Sequence, residues 1–186
     1  MRGGHRPLDI LLGAQAAASN PREDVWLSAS AGTGKTHVLA SRVYRLLLSG
    51  NVKPESILCL TFTKAGAAEM AERIHRRLAD WVRLPTPALR KDLYALGEDS
   101  NDDALVAKAR TLFASVLDAR GGGLRIQTIH SFCQTLLSNF PSEIGLTPGF
   151  RAMEAREENA LAQHVLSEMV INAQAQGRLE IGRAHV

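Results

Sequence analysis

The sequence predicts an α/β fold in which helices flank a parallel sheet. Short apolar segments alternate with longer amphipathic ones, an order typical of strands joined by helical crossovers. Residues 56–63 carry apolar side chains on both faces, at Ile57, Leu58, Leu60 and Phe62, as expected of a buried parallel strand. A glycine-rich turn at 29–36 connects the first apolar segment to the helix after it, which indicates a tight strand-to-helix connection.

The first half of the chain supplies two strand–helix pairs. A short helix within residues 1–20 precedes a strand at roughly 24–29, and a long helix follows at roughly 35–49. The strand at 56–63 leads into a helix at about 65–82. The inward face of that helix is predicted to hold Ala67, Ala71, Ile74, Leu78 and Val82, and its outward face Glu69, Arg73, Arg76, Arg77 and Asp80.

The second half of the chain begins with a segment of different composition. Residues 83–120 contain proline-rich and acidic turns around two helical stretches, about 88–96 and 104–119. This segment predicts a helical insertion laid against the sheet rather than a further strand–helix pair. The remaining elements are a third strand, a helix, a loop and a last helix, at about 124–129, 130–140, 141–150 and 154–175.

The length, charge and cysteine content of the chain restrict the class of protein to which it can belong. The chain has 186 residues, of which 45% are hydrophobic and 22% charged, as in an ordinary soluble globular protein. The net charge of +3 is compatible with a nucleic-acid partner but is too small to indicate one alone. Cys59 and Cys133 lie in apolar surroundings without the spacing of a metal site, so both are expected to be buried, reduced thiols.

The amino terminus does not have the pattern of a signal peptide. Arg2 and Arg6 precede apolar residues at 8–12 and an alanine cluster at 16–18, but this stretch is short, and Asp9, Gly13 and Gln15 interrupt it. No other apolar run approaches the length that spans a membrane. The sequence therefore predicts a cytoplasmic protein without a membrane partner.

Eight residues indicate a phosphate-binding loop. Gly32 and Gly34 let backbone N–H groups surround an anion, and the helix that starts near Lys35 adds its positive dipole end. Lys35 supplies a charge for the outer phosphates, and the Thr36 hydroxyl is placed to hold Mg²⁺. The alternative is a surface turn that happens to carry a lysine. The predicted loop is Ala29, Ser30, Ala31, Gly32, Thr33, Gly34, Lys35 and Thr36, with Ala29 in place of the usual leading glycine.

Gln15 lies on the short helix that leads into the first predicted strand. Its carboxamide can pair with the N6 and N7 edge of adenine, in the geometry that Asn and Gln use on DNA bases. On this residue alone, a solvated surface glutamine is the alternative. The position before the loop nevertheless makes Gln15 a candidate for contact with a nucleotide base.

The second predicted strand ends at an edge of the sheet where α/β proteins bind ligands. There Phe62 can stack on a base, and Thr63 and Lys64 can contact the phosphates of a single strand of nucleic acid. The alternative makes Phe62 a core side chain and Lys64 a solvated residue at the start of a helix.

The third predicted strand ends in a similar segment. Thr128, His130 and Ser131 offer small hydroxyls and an imidazole at the start of a helix, groups that are suited to phosphate oxygens. A histidine in such a place can instead cap the helix or pack in the core. Both strand ends therefore carry candidates for the same kind of ligand.

Taken together, these segments resemble superfamily 1 DNA helicases of the UvrD type, and most of all the AddA-type helicase–nuclease subunit of bacterial double-strand-break repair. Gln15 falls at the Q motif, and 29–36 is similar to the form of motif I that begins with alanine. Residues 60–70 are similar to motif Ia and 128–133 to motif Ib. The resemblance covers about 10–165 and depends on the order and spacing of four motifs.

The resemblance implies a RecA-like P-loop NTPase that uses ATP and Mg²⁺ to move 3′ to 5′ along DNA from single- or double-stranded ends. Lys35 and Thr36 are then the catalytic residues, with Thr36 on Mg²⁺, and Gln15 completes the ATP site. The implied DNA contacts are Phe62, Thr63, Lys64, Thr128, His130 and Ser131. The implied partner is a second, AddB-like helicase–nuclease subunit.

The resemblance also implies a division into domains. Residues 1–150 correspond to the ATP-binding lobe 1A, with 83–122 as a helical insertion, and 151–179 to the start of the helical subdomain 1B. Residues 180–186 read Glu-Ile-Gly-Arg-Ala-His-Val, which a common sequencing adapter encodes in one frame. We therefore expect a non-native tail there, and a genuine frayed tail is the alternative.

The chain lacks parts that the family uses. It has no Asp-Glu-x-Gln segment, in which the Asp completes the Mg²⁺ site and the Glu orients the attacking water. The second lobe with its arginine and the carboxyl-terminal nuclease domain are also missing. We therefore expect a piece truncated before the Walker B motif, which binds ATP weakly and hydrolyses it very slowly.

Two other functions fit parts of the pattern. A small P-loop phosphotransferase needs a lid with clustered arginines, whereas 83–120 carries only scattered ones, Arg83, Arg90, Arg110 and Arg120. Salt-dependent binding of a single-stranded oligonucleotide distinguishes a helicase from such a kinase. A non-catalytic nucleotide-binding module is the third hypothesis, and the downstream gene sequence distinguishes it, because a helicase continues into an Asp-Glu motif.

Overall fold

The computed structural model of the protein describes residues 6–28, 30, 32–119 and 123–176. Within this part of the chain there are seven α-helices and two β-strands. Two compact units make up the chain, residues 1–132 and 133–186. The helices are α1 (Ala14–Ser19), α2 (Lys35–Ser49), α3 (Lys64–Arg83), α4 (Thr86–Ala95), α5 (Asp103–Leu117), α6 (Ile129–Asn139) and α7 (Ala155–Ala175), and the strands are β1 (Leu58–Thr61) and β2 (Arg125–Thr128).

The two strands pair in parallel, as the sequence predicts. Leu58 lies opposite Arg125, and Thr61 lies opposite Thr128. The backbone N–H of Arg125 also donates to the carbonyl of Ile57 at 3.1 Å, which extends the ladder by one bond. α3 packs on both strands. Because the strands run in the same direction and in this register, their carboxyl ends share one edge of the sheet.

The strand predicted at 24–29 is absent over its described residues, 24–28. Val25, Trp26 and Leu27 are exposed there, and Trp26 is 95% exposed. A strand exists only where a neighbour accepts and donates its backbone hydrogen bonds, and three apolar residues do not specify that neighbour. The prediction of a strand is therefore wrong for 24–28.

β1 is covered on one face only. Cys59 packs against the core, and burial raises the pKa of its thiol. Leu58 and Leu60 point to the other face and are exposed. The expectation of a strand buried on both faces is wrong for this structure, because an apolar run does not by itself provide the element that covers it.

The core of the first unit lies among α2, α3, α4 and α5. The rings of Tyr44 and Trp81 are tilted against each other with their centroids 5.3 Å apart, and both are fully buried. The predicted inward face of α3 is correct at Ala67, Ile74 and Leu78. It is wrong at its end, where Trp81 is buried and Val82 is exposed, because a helix brings residues seven apart, such as 67, 74 and 81, to the same face.

A buried carboxylate joins α3, α4 and the segment before α1. Asp92 is fully buried, and its Oδ2 accepts hydrogen bonds from Trp81 Nε1 at 2.8 Å and Arg77 Nη1 at 3.0 Å. Its Oδ1 accepts the backbone N–H of Leu8 at 3.0 Å. Arg77 also donates to the carbonyl of Arg6 at 3.0 Å. The prediction that Arg77 lies on the outward face of α3 is wrong, because the arginine is drawn inward to neutralise Asp92.

The segment between the two strands is helical, as predicted. The helices expected at 88–96 and 104–119 are α4 and α5. α5 packs mainly on α3, with further contacts to α2 and α4. Asp102 caps α5, with its Oδ1 accepting the N–H of Ala104 at 2.8 Å. Gly121 and Gly122, which follow this segment in the sequence, lie outside the described residues.

The second unit contains most of α6 and all of α7. α7 begins with a capping box between Glu154 and Glu157, and Arg151 forms a bidentate ion pair with Glu157 that lowers the pKa of that carboxyl. Cys133 is exposed, so the prediction that both cysteines are buried is wrong for this one. The large apolar residues along α7 are exposed, namely Leu161, Val165, Leu166, Met169, Val170 and Ile171. None of the described helices combines the length and apolar character needed to cross a membrane.

Candidate functional site

The turn before α2 has the backbone of an anion-binding loop over its described residues. Gly32 and Gly34 have φ angles of 79° and 84°, which residues other than glycine rarely adopt. Gly34 is also the N-cap of α2 and, having no side chain, makes no side-chain cap hydrogen bond. The first N–H groups of a helix have no acceptor within the helix itself, and such a helix start suits an anion. Ala29 and Ala31, also predicted for this loop, lie outside the described residues.

Lys35 and Thr36 form the first turn of α2 and are half-buried. The ammonium group of Lys35 donates to the carbonyl of Ser30 at 2.6 Å, and the hydroxyl of Thr33 donates to the same carbonyl at 2.7 Å. The loop therefore folds back so that the lysine head lies beside its own backbone. Positive-φ glycines, an ammonium group and a hydroxyl fit the triphosphate of a nucleotide with its Mg²⁺.

Gln15 lies beside this loop. A Cβ placed on Gly34 would be 3.8 Å from Gln15 Nε2, so the carboxamide lies next to the start of α2. The side chain is half-buried. The structure thus brings Gln15 to the predicted phosphate-binding loop, although Gln15 and Lys35 are twenty residues apart in the sequence.

The segment after β1 is exposed at the edge of the sheet. Phe62 is 87% exposed, so the alternative that makes it a core residue is wrong. Thr63 and Lys64 are exposed as well, and the Thr63 Oγ1 accepts the N–H of Gly66 at 3.0 Å as the N-cap of α3. A Cβ on Gly66 would approach that oxygen to 3.0 Å, so a side chain at Gly66 would disturb the cap.

The segment after β2 is organised around a buried hydroxyl. Thr128 is 7% exposed, and its Oγ1 accepts the N–H of Ser131 at 3.1 Å and bonds to the Ser131 hydroxyl at 2.9 Å. His130 is exposed on the first turn of α6, so the alternative of a core histidine is wrong. Thr128 therefore holds the start of α6 from inside, whereas His130 faces solvent.

The parallel register brings these two segments together. Because Thr61 pairs with Thr128, the residues that follow each strand leave the sheet at the same edge. Thr61 also contributes a hydrogen bond that the sequence did not suggest, since its hydroxyl donates to the Thr63 carbonyl at 2.9 Å and fixes the turn around Phe62. A Thr-x-Thr spacing at a strand end is the available signal for this contact.

Comparison with known proteins matches the part of the chain that includes the loop and the edge to one family. The family model of the UvrD/REP helicase N-terminal domain matches residues 13–182. The chain is 31% identical over 158 residues to the A subunit of the ATP-dependent helicase/nuclease of Desulfitobacterium hafniense (strain DSM 10664 / DCB-2), covering 84% of this chain and 10% of that protein.

Other relatives carry the same name. The corresponding protein of Pelotomaculum thermopropionicum is 36% identical over 150 residues, 78% of this chain and 10% of the relative. That of Latilactobacillus sakei subsp. sakei is 32% identical over 147 residues, 79% of this chain and 14% of the relative. The chain thus spans only about a tenth of the length of these curated relatives.

Proposed function

This chain belongs to the UvrD/REP helicase N-terminal domain family, and from that premise we propose that it is the ATP-binding amino-terminal part of a 3′ to 5′ DNA helicase of the AddA type. The relatives that share this sequence are named as helicase/nuclease subunits, and the chain covers about a tenth of them. Action in double-strand-break repair, the nuclease domain and an AddB-like partner subunit are therefore proposals for the whole protein.

The observation that carries the proposal is the geometry of the loop before α2. Two glycines with positive φ precede the helix, the ammonium group of Lys35 lies against the loop, and the carboxamide of Gln15 is next to Gly34. This arrangement offers N–H groups and a cation to phosphates, and an amide to a base, within one small region. A phosphate site alone would not require the amide.

Each residue of the loop has a separate task in the proposal. The backbone N–H groups at Gly32 and Gly34 and the ammonium group of Lys35 bind the outer phosphates of ATP, and Thr36 supplies one oxygen ligand for Mg²⁺. When bound, Mg²⁺ supplies positive charge between the outer phosphates. Gln15 recognises the adenine edge and thereby favours ATP over other nucleotides.

The sheet edge supplies the proposed DNA contacts. Phe62 offers an exposed ring on which a base stacks, and Thr63, Lys64, His130 and Ser131 supply polar groups in the segments that follow the two strands. Thr128 is buried, and we propose that it contributes by holding Ser131 rather than by reaching the strand of DNA. The shared edge supports a single path for the DNA across both strand ends.

The proposal extends to the architecture. We assign residues 1–150 to a RecA-like lobe with 83–122 as a helical insertion, and 151–179 to the start of a 1B subdomain. Residues 180–186, the proposed adapter-encoded tail, lie outside the described part of the chain. A cytoplasmic location follows from the proposed role on DNA ends.

The test of the proposal is Lys35→Ala. We expect ATP affinity, measured by titration into the 186-residue chain, to fall at least about tenfold, because the ammonium charge contributes about 1.5 to 3 kcal/mol to binding of phosphate oxygens. Lys91 is an exposed lysine on α4 that is not part of the loop, and Lys91→Ala serves as the matched control, which we expect to leave ATP affinity unchanged. Equal ATP affinity in the two variants would contradict an ATP site at this loop.

A further inference from the structure

An arginine on α2 binds the end of α1 and the turn after it. Arg42 Nη1 donates to the carbonyls of Ala18 at 3.1 Å and Asn20 at 2.7 Å, and its Nη2 donates to the carbonyl of Glu23 at 2.5 Å. One guanidinium group thus satisfies three backbone acceptors. The last carbonyls of a helix have no partner within the helix, so this contact supplies donors where α1 itself has none.

A second arginine, one turn further along α2, binds the same helix. Arg45 Nη1 donates to the Ser19 hydroxyl at 2.9 Å and to the carbonyl of Ala16 at 3.4 Å. Its Nε forms an ion pair with Glu98 at 2.8 Å, and its side chain is only 16% exposed. Ser19 is fully buried and its hydroxyl also donates to the carbonyl of Ala16 at 2.9 Å. The orientation of the Arg45 guanidinium group is therefore fixed from several sides.

α1 depends on such contacts because it is too short to be stable alone. It has six residues and no side-chain cap at Gly13, and a helix of this length does not persist without tertiary contacts. The two guanidinium groups also place positive charge at its carboxyl end, where the helix dipole favours it. The position of α1 is therefore set by α2.

α2 is also the helix that starts at the phosphate-binding loop. Lys35 and Thr36 form its first turn, and Arg42 and Arg45 follow two and three turns later on the same rigid element. Gln15 lies on α1, with its amide next to Gly34. A single helix thus holds the groups for the phosphates at one end and fixes the helix that carries the group for the base.

We propose that Arg42 and Arg45 are positioning residues for base recognition, which hold Gln15 at the distance from Gly34 that an adenine nucleotide requires. The inference rests on the proposed ATP site and adds to it the residues that determine preference for adenine. Neither arginine touches the nucleotide. Loss of either one frees α1 to shift and leaves the phosphate-binding loop in place.

The chain contains a matched control for these contacts. Arg110 on α5 donates to the carbonyls of Trp81 at 3.3 Å, Val82 at 3.2 Å and Leu84 at 2.9 Å, at the end of α3. It therefore makes the same kind of contact with a helix end that does not carry Gln15. Arg110→Gln removes this chemistry without affecting α1.

The experiment compares ATP with inorganic tripolyphosphate, which has the phosphates but no base. Both are titrated into the 186-residue chain and followed by ¹H–¹⁵N NMR, which reports affinity and folding together. We expect Arg42→Gln and Arg45→Gln to weaken ATP binding about tenfold and to change tripolyphosphate binding less than about twofold. Arg110→Gln leaves the ratio of the two affinities unchanged. Arg42→Lys keeps the positive charge but lacks the several planar N–H donors of the guanidinium group, so we expect an intermediate loss of ATP affinity. This variant replaces Arg42→Gln if the latter does not fold.

A double variant tests whether Arg42 affects ATP binding through Gln15. If it does, Arg42→Gln combined with Gln15→Ala binds ATP no more weakly than Gln15→Ala alone. Additive losses, or equal losses for ATP and tripolyphosphate, overturn the inference and leave the ATP site standing. A wild-type chain that does not prefer ATP to tripolyphosphate overturns both the inference and the base contact in the proposed function.

Discussion

At the scale of single residues, Asp92 shows how one buried charge is kept in a small core. Its two carboxylate oxygens accept hydrogen bonds from the guanidinium group of Arg77, the indole of Trp81 and the backbone of Leu8. Desolvation of a carboxylate is costly, and such a group is retained only where charged and polar donors surround it. Here the donors come from two parts of the chain that are distant in sequence, so the carboxylate also ties those parts to α4.

Replacement of Asp92 is therefore expected to be severe. Asp92→Ala leaves the guanidinium group of Arg77 and two N–H donors without their acceptor in the core, and we expect the free energy of unfolding to fall by about 3 to 5 kcal/mol. Urea denaturation followed by circular dichroism measures this change. Asp24 is exposed, and Asp24→Ala is the control, with an expected change within about 0.5 kcal/mol. A loss for Asp92→Ala no larger than that of the control contradicts the role of this carboxylate.

The sequence indicates single residues well where the local backbone chemistry decides their role. Gly32, Gly34 and Lys35 are predictable from spacing, because positive φ and the start of a helix are local properties. Arg42 and Arg45 are not, since an arginine on an amphipathic helix is ordinary and its acceptors lie in another element. No pattern in the sequence encodes that contact.

At the scale of elements, the carboxyl edge of the two-stranded sheet combines an exposed aromatic ring with capped helix starts. Phe62 lies on the turn that the Thr61 and Thr63 hydrogen bonds fix, and Thr128 holds the start of α6 at the neighbouring strand. The ring is therefore presented on a supported turn rather than a loose one. Exposed aromatic rings on such supports are suited to stacking with bases.

Phe62→Ala tests the role of this edge. The ring is almost fully exposed, so we expect the thermal stability of the chain to change little. We expect affinity for a single-stranded oligonucleotide to fall by about 1 to 3 kcal/mol, measured by fluorescence anisotropy at low salt, because one stacked base is lost. Tyr94 is an exposed aromatic residue on α4, and Tyr94→Ala provides the control. The DNA path across this edge is wrong if the two variants bind alike.

Helices whose apolar residues recur with a regular period are predictable from the sequence, whereas the state of the segment expected to form a strand at 24–29 is not. The helices at 35–49 and 104–119 are found because their apolar residues recur on one face over several turns. The segment at 24–28 has too few residues for a period, and its state depends on which strand lies beside it. The sequence of β1 does not predict its exposed face for the same reason, because the elements that cover a sheet come from other parts of the molecule.

At the scale of the whole molecule, nucleotide binding and nucleotide hydrolysis require different chemical groups. The loop before α2 contains the groups that we propose bind phosphates, whereas the family positions the attacking water with an Asp-Glu segment that the 186 residues do not contain. An arginine from another lobe, worth about 10³ to 10⁵ in rate in comparable enzymes, is also not among them. Binding is therefore expected here without efficient turnover.

Slow hydrolysis of ATP is the corresponding prediction. We expect the release of phosphate by the 186-residue chain to stay at the level of the Lys35→Ala variant, with or without single-stranded DNA. A coupled phosphate assay over several hours makes the comparison. DNA-stimulated release that Lys35→Ala abolishes would show that the chain contains a complete catalytic site, contrary to the proposal.

The pairing of β1 with β2 has a consequence for how the first unit folds. The two strands are separated along the chain by α3, α4 and α5, so their ladder closes a long loop, which slows its formation. We therefore expect the local helices to form early and the strand ends to come together only when the intervening helices have condensed. On this expectation the surface that presents Phe62 and His130 is assembled late, and a partly folded chain has its helices before it has that surface.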